Sequence, residues 1–295
     1  MKNKITCLLA GAALFGATAN ADIAIADGLN AYGYIDMNAV DADNDARDGE
    51  LAEYELGLSF SPAESQWSAV AELSYTDAGD SKFETVAVNY QHSDALSVHI
   101  GNLYTFQGLE GHDAPENDFI SYAGRDIDGD GVNDDLYGAD FDEGIAVAYS
   151  AGDISLAVYS GIDSDPVKQY AASYSGIENL NLGVAIIDYD DSTDSTNIHA
   201  TYEMGDFTIS AENVDSDNAA KILDVTSVAV AYNMGDTTVA VRSAEGDYDG
   251  ADYDSVSVAA YHAFNDNVSA GIEYRDEDNN GVDNSSIGVQ LLYVF

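Results

Sequence analysis

Ser285-Ser-Ile-Gly-Val-Gln-Leu-Leu-Tyr-Val-Phe295 puts Ile287, Val289, Leu291, Tyr293 and Phe295 on one parity. Successive side chains of a strand point to opposite faces, so this segment carries one wholly apolar face that ends on an aromatic ring. Such a face fits a strand set against lipid. A sheet in water would rarely finish on so apolar a strand.

The other end of the sequence agrees. Lys2 and Lys4 precede an apolar stretch from Ile5 to Phe15, and Ala19-Asn20-Ala21 supplies small residues for cleavage, so residues 1–21 read as a secretory signal peptide. The apolar stretch is too short to span a bilayer, and no later stretch is long and apolar enough for a helical anchor. Cys7 leaves with the leader, which excludes disulfides from the mature chain. That chain is expected to begin at Asp22 and to form one domain over 22–295.

Once Lys2 and Lys4 are removed, seven Lys and Arg face all 54 Asp and Glu, a net charge of −47. Without a basic stripe to neutralise phosphates, no nucleic-acid partner is expected. High charge alone would suggest disorder. The 20 Tyr and 46% apolar residues oppose that, because they are laid out with period two.

Sixteen alternating runs can be traced, at about 30–38, 50–61, 66–75, 83–92, 95–104, 143–150, 153–161, 167–176, 179–189, 195–204, 206–214, 221–234, 236–245, 253–264, 266–276 and 285–295, each boundary uncertain by ~2–4 residues. Segments 61–66, 150–153, 204–206, 234–236 and 264–267 read as tight hairpin turns. Segments 41–49, 190–194, 246–252 and 277–284 read as longer polar loops, rich in Asp, Asn and Gly. Short turns at one end and long loops at the other are the asymmetry of an outer-membrane barrel. The fold expected is all-β, a transmembrane antiparallel β-barrel of sixteen strands with both termini on the periplasmic side.

Parity assigns the two faces. Trp67, Ala69, Ala71, Leu73 and Tyr75 alternate with Ser68, Val70, Glu72 and Ser74. Val268, Ala270, Ile272 and Tyr274 alternate with Ser269, Gly271, Glu273 and Arg275. Charged residues in mid-strand need water, and a wet lumen supplies it. Tyr75, Tyr90, Tyr149, Tyr202, Tyr232, Tyr274 and Tyr293 lie on the apolar parity near strand ends, where interfacial girdles form. A soluble acidic β-sandwich or β-solenoid is the alternative, although strand-end tyrosines on the apolar face have no role in a sandwich core.

The sixteen runs, the aromatic residue 295, the opening Leu29-Asn-Ala-Tyr-Gly-Tyr-Ile-Asp36 and one exceptional connection resemble the general Gram-negative porins over the whole mature chain. The resemblance implies an outer-membrane homotrimer of water-filled barrels that passes small hydrophilic solutes. It also implies a third external loop folded inward to narrow each pore. Residues 105–142, between the fifth and sixth runs, hold that position, and a connection so long in a compact domain is usually functional. General porins usually oppose an acidic inward loop with a cluster of wall arginines. Here only Arg242 and Arg275 take lumen parity, so the transverse field is expected to be weak.

The other lumen-parity residues are Asp36, Glu53, Glu55, Glu72, Glu203, Glu212 and Glu273, with His99 and His199. A lumen lined with one sign of charge concentrates counter-ions, so cations are the expected permeants. A generally acidic proteome would give the same composition. Within the long connection, Asp126-Ile-Asp128-Gly-Asp130-Gly131-Val132-Asn133-Asp134 has the spacing of an oxygen cage for calcium: carboxylates at positions one, three, five and nine, glycine at six and the Val132 carbonyl at seven. Tyr137 stands where an EF-hand closes with glutamate. The segment is therefore either a modest calcium site or a solvated acidic loop. Asp276, Asp278, Asn280 and Gly281 form a poorer second copy.

No cofactor is required by this composition, and no enzymatic constellation accompanies the scattered histidines. The acidic exterior would meet outer-membrane lipid and lipopolysaccharide through divalent ions. The functions in contention are a general diffusion channel, a substrate-specific channel, and a non-conducting structural or adhesive surface barrel. A sugar-specific pore needs a run of inward aromatics, for which Tyr32 and Tyr34 are the candidate pair.

Overall fold

The computed structural model describes residues 23–42, 48–76, 81–104, 106, 141–162, 166–189, 193–218, 221–248, 250–279 and 281–295. In chain order they form β1 (Ile23–Ala26), β2 (Leu29–Ala42), β3 (Asp48–Phe60), β4 (Trp67–Thr76), β5 (Ser81–Ser93), β6 (Leu96–Tyr104), β7 (Phe141–Ala151), β8 (Ile154–Gly161) and β9 (Lys168–Ile177). Then come β10 (Leu180–Tyr189), β11 (Thr193–Met204), β12 (Phe207–Asn218), β13 (Lys221–Met234), β14 (Thr237–Tyr248), β15 (Ala251–Asn265), β16 (Val268–Asn279) and β17 (Val282–Val294). From β2 onward each strand pairs antiparallel with the next, and β17 pairs back onto β2, so 16 strands close into a barrel. Closure satisfies every strand edge, which lipid demands because it offers the backbone no hydrogen bonds.

The seam is short and continuous. Val294 to Ser286 pair with Tyr34 to Ala42, and Phe295 exchanges two 2.9 Å backbone hydrogen bonds with Gly33. Beyond Phe295, β1 takes over the same edge of β2, with Ile23 opposite Ala31 and Ala24 opposite Asn30. Ile23 and Phe295 therefore lie at one end of the barrel. The tight turns gather at that end too, and Gly152, Gly205 and Gly235 adopt φ of 63°, 64° and 70°, a left-handed conformation that a two-residue hairpin needs and glycine takes without strain.

Each of the sixteen alternating runs falls on one barrel strand. Two of the expected long loops do not exist as such, because 246–252 and 277–284 are mostly strand. β14 runs to Tyr248 and β15 resumes at Ala251, while β16 runs to Asn279 and β17 resumes at Val282. Two carboxylates of the poorer calcium-like copy, Asp276 and Asp278, lie on β16, and its Asn280 lies outside the described residues. Asp276 and Asp278 are paired with Ser285 and Asp283 inside the sheet, and Asp278 Oδ1 accepts a 2.6 Å bond from the Gly281 N–H. Asp and Asn are poor strand formers, but ladder pairing continued here while water solvated their outward side chains. A tilted strand of about 9–11 residues suffices to cross a bilayer. The 15 residues of β15 and 14 of β13 overshoot it, so this wall stands proud of the apolar band.

The outward face is as apolar as parity requires. Trp67 is 55% exposed and Ile272 52%, values that make no sense in water and are natural against acyl chains. Outward rings pair near the end that carries Phe295, Trp67 with Tyr90 at 4.7 Å and Phe207 with Tyr232 at 4.6 Å between centroids. Tyr54 and Tyr75 stack at 4.8 Å near the opposite end. These are the two girdles that the strand-end tyrosines foreshadowed.

Candidate functional site: the barrel lumen

The inward side chains are not alike around the ring. Along β7 to β10 the inner wall is small and largely apolar, with Ala146, Ala148, Ala157, Ala171 and Ala185 buried in one cluster with Val70, Ala87 and Leu103 of β4 to β6, whose inner faces also carry Glu72, Ser74, Thr85, Asn89 and His99. Phe106 belongs to the same cluster. Its backbone N–H donates to Gln169 Oε1 at 2.5 Å, and its ring meets Tyr159 edge-on at 6.3 Å. Phe106, two residues beyond β6, therefore lies against inward side chains of β8 and β9. Phe106 itself is thus inside the barrel, beside the alanine floor. Residues 107–140 lie outside the described residues, and with them Asp126, Asp128, Asp130, Val132 and Asp134.

The other inward positions, among them Glu72 on β4 and His99 on β6, are polar and hold most of the expected lining. Asp36, His99, Glu212, Arg242, Glu273 and Arg275 are buried on the inner face, and Glu55, Glu72, His199 and Glu203 are half-buried there. Glu53 occupies the register position between Asp36 and Thr76. On β2, Asp36 Oδ2 accepts from Gln290 Nε2 at 2.9 Å. Tyr32 reaches across β3 and donates its hydroxyl to Glu72 Oε1 at 2.5 Å. Asn197 donates to Glu212 and accepts, through Oδ1, a 2.9 Å contact with His199 Nδ1.

Arg242 and Arg275 stand in one register row, joined through Ser257. The two guanidiniums, on β14 and β16, face the alanine floor of β7 to β10 from half-way round the ring. Each is tightly held: Arg275 pairs with Glu277 and donates to the Tyr253 hydroxyl at 2.9 Å, and Arg242 contacts Ser255 Oγ at 3.5 Å. Tyr253, Glu277 and Gln169 were not among the residues expected to matter. Glu277 could have been found, since it lies two positions beyond Arg275 on the same face.

Sequence proximity also hid a relay. His99 Nε2 lies 2.8 Å from Ser97 Oγ and its Nδ1 lies 2.7 Å from Asn89 Oδ1 on the neighbouring strand. The arrangement is that of a hydroxyl, an imidazole and an orienting amide. The backbone N–H groups around it are committed to the ladders of β5, β6 and β7, so no paired donors for an oxyanion stand beside Ser97 among the described residues.

Residues 8–282 match the family of Gram-negative porins. No curated protein matches the chain significantly in sequence. Among solved structures, a triply substituted porin of Rhodobacter blastica superposes with a TM-score of 0.68 at 16% identity, covering 90% of this chain and 99% of that one. The outer-membrane-expressed OmpT of Vibrio cholerae gives 0.66 at 12% identity over 92% and 100%, and its in-vitro folded trimer form 0.64 at 12% over 90% and 99%. At such identities the likeness speaks for the fold. The sequence match over most of the chain, on a closed wall that is apolar outside and ionic within, places this chain in the Gram-negative porin family as a channel of the outer membrane.

Proposed function

We propose that this porin passes small hydrophilic solutes by passive diffusion and prefers cations. The observation that carries the preference is the contiguous acidic arc on β2, β3 and β4, where Asp36, Glu55 and Glu72 follow one another around the wall, while Arg242 and Arg275, on β14 and β16 of the adjoining wall, are held by Glu277 and by serine and tyrosine hydroxyls. Carboxylates with partial access to water focus a negative potential on the permeation path. In a potassium chloride gradient across a planar bilayer the reversal potential takes the sign set by potassium, and the preference fades as the screening length falls from about 30 Å at 0.01 M to about 3 Å at 1 M salt. A chloride-signed potential at low salt refutes the reading.

The protein is read as a channel and not as a catalyst, a reading supported by the match of residues 8–282 to the Gram-negative porins. A sugar-specific track is disfavoured because Tyr34 is buried and Tyr32 lies flat against Gly57. Assembly as a homotrimer is supported by the likeness to OmpT of Vibrio cholerae in its trimer form. It is supported also by the low outward relief of Ala31, Gly33 and Ala39 on β2 and of Ala69 and Ala71 on β4.

Lipopolysaccharide and divalent cations are the proposed partners of the opposite exterior. There Asp215, Asp224, Asp247 and Asp252 stand in direct cross-strand register, an arrangement of like charges that repels unless cations intervene. Residues 1–21 are read as a cleaved signal peptide on Lys2 and Lys4, the apolar stretch 5–15 and the small residues Ala19-Asn20-Ala21. Calcium at 126–134 rests on the spacing of its carboxylates. Millimolar calcium is expected to protect the long connection from protease, and Asp128→Ala with Asp130→Ala to abolish the protection.

A further inference from the structure

Three inward rings on the polar and seam walls share one device. Tyr32 and Gly57 are direct cross-strand partners, as are His199 and Gly183, and Tyr261 and Gly271. In each pair the ring lies over the glycine, so closely that a Cβ built on the glycine would overlap the atoms along one edge of the ring. None of the three glycines has a left-handed φ, so the turn chemistry that explains glycine elsewhere is absent. Glycine also weakens a strand relative to alanine. What the missing side chain provides is room for a ring to lie tangent to the wall. Tyr32 uses that room to cross β3 and donate to Glu72, which shares a row with Gly57. His199, similarly recessed, turns its Nδ1 along its own strand to Asn197.

We propose that Gly57, Gly183 and Gly271 are bore-setting residues: each recesses an aromatic or imidazole ring into the wall, and any side chain at these positions turns the ring into the permeation path. They determine the size limit of the channel although none presents a side chain to the solute. The proposal rests on the channel reading, so its test has one readout that needs conduction and one that does not.

The pair Gly183 and His199 gives the cleanest cycle. Gly183→Ala is expected to lower single-channel conductance in potassium chloride by about 1.5-fold, since one ring then occupies part of a lumen that about sixteen strands leave aqueous. Adding His199→Ala to Gly183→Ala restores at least the parent's conductance, because the ring that the new Cβ displaces into the path is then gone. The second readout is the thermal unfolding midpoint in detergent. Gly183→Ala lowers it when His199 is present and raises it when His199 is alanine, where only the better strand propensity remains. Additive midpoints overturn the recess itself. Coupled midpoints with unchanged conductance overturn the bore-setting role and leave a packing role. If Gly183→Ala does not fold, a clear rise in conductance on His199→Ala alone overturns the proposal. A parent barrel that carries no current refutes the channel reading, while the midpoint cycle still decides the recess.

Discussion

Replacing Gln169 with leucine probes how the long connection is moored. Phe106 is 4% exposed and Gln169 is fully buried, so when the 2.5 Å bond from the Phe106 N–H to Gln169 Oε1 is lost no water can replace it. A buried donor left without a partner costs about 1–3 kcal/mol, which raises the population of a detached anchor roughly 5- to 150-fold. Leucine keeps the volume against Tyr159 and the alanine floor, so the barrel itself should be unaffected. Detachment would be read as faster opening and closing noise in single-channel current, and as faster protease cleavage between residues 107 and 140 at unchanged unfolding midpoint. Local opening and cleavage are linked through the population of the open form. If the variant shows the parent's current noise and cleavage rate, Phe106 does not moor the connection and its place against β8 and β9 loses its functional meaning.

Neutralising the half-buried acids with Glu55→Gln, Glu72→Gln and Glu203→Gln together should move the low-salt reversal potential towards that of chloride, measured in the same bilayer, and an unmoved potential would place the selectivity elsewhere. Arg275→Ala strands the buried Glu277 carboxylate, and breaking such a pair costs about 3–5 kcal/mol, so the thermal midpoint should drop well below that of the parent. On the outer wall, Ile272→Arg puts a charge among acyl chains at about 2–4 kcal/mol. Ser269→Arg, on the inner parity of the same strand, should be tolerated, and equal losses in denaturant titration of the two would contradict the assignment of faces.

Strand number and facing were legible because both rest on a period of two, which survives whatever the rest of the chain does. Ile272 and Glu273 had to part company on any β reading. Strand ends were less legible. Asp247, Asp252, Asp276 and Asp278 have the composition of loops, yet the ladder runs through them, because pairing satisfies backbone groups while carboxylates outside the bilayer stay solvated. Local propensity lost to the cooperative extension of a closed sheet.

Within the lumen, residue type and parity named Asp36, Glu72, Glu212, Arg242 and Arg275 as lining, and no more than parity was needed. Which of them meet depended on register and curvature. Arg242 and Arg275 share a row only because β15 sets Ser257 between them, and Gln169 meets Phe106 only because Phe106 lies inside the barrel against β8 and β9. The alanine floor was written in the sequence at inward parity on β7 to β10, but its meaning required knowing that those strands are neighbours and that Phe106 returns to them. The amino-acid order by itself determined an outer-membrane barrel with a wet, acidic interior, since alternation and charge are local properties. The tertiary structure alone decided which wall receives Phe106, which faces that wall, and which glycines hold rings aside, since those follow from the closure that brings β17 back to β2.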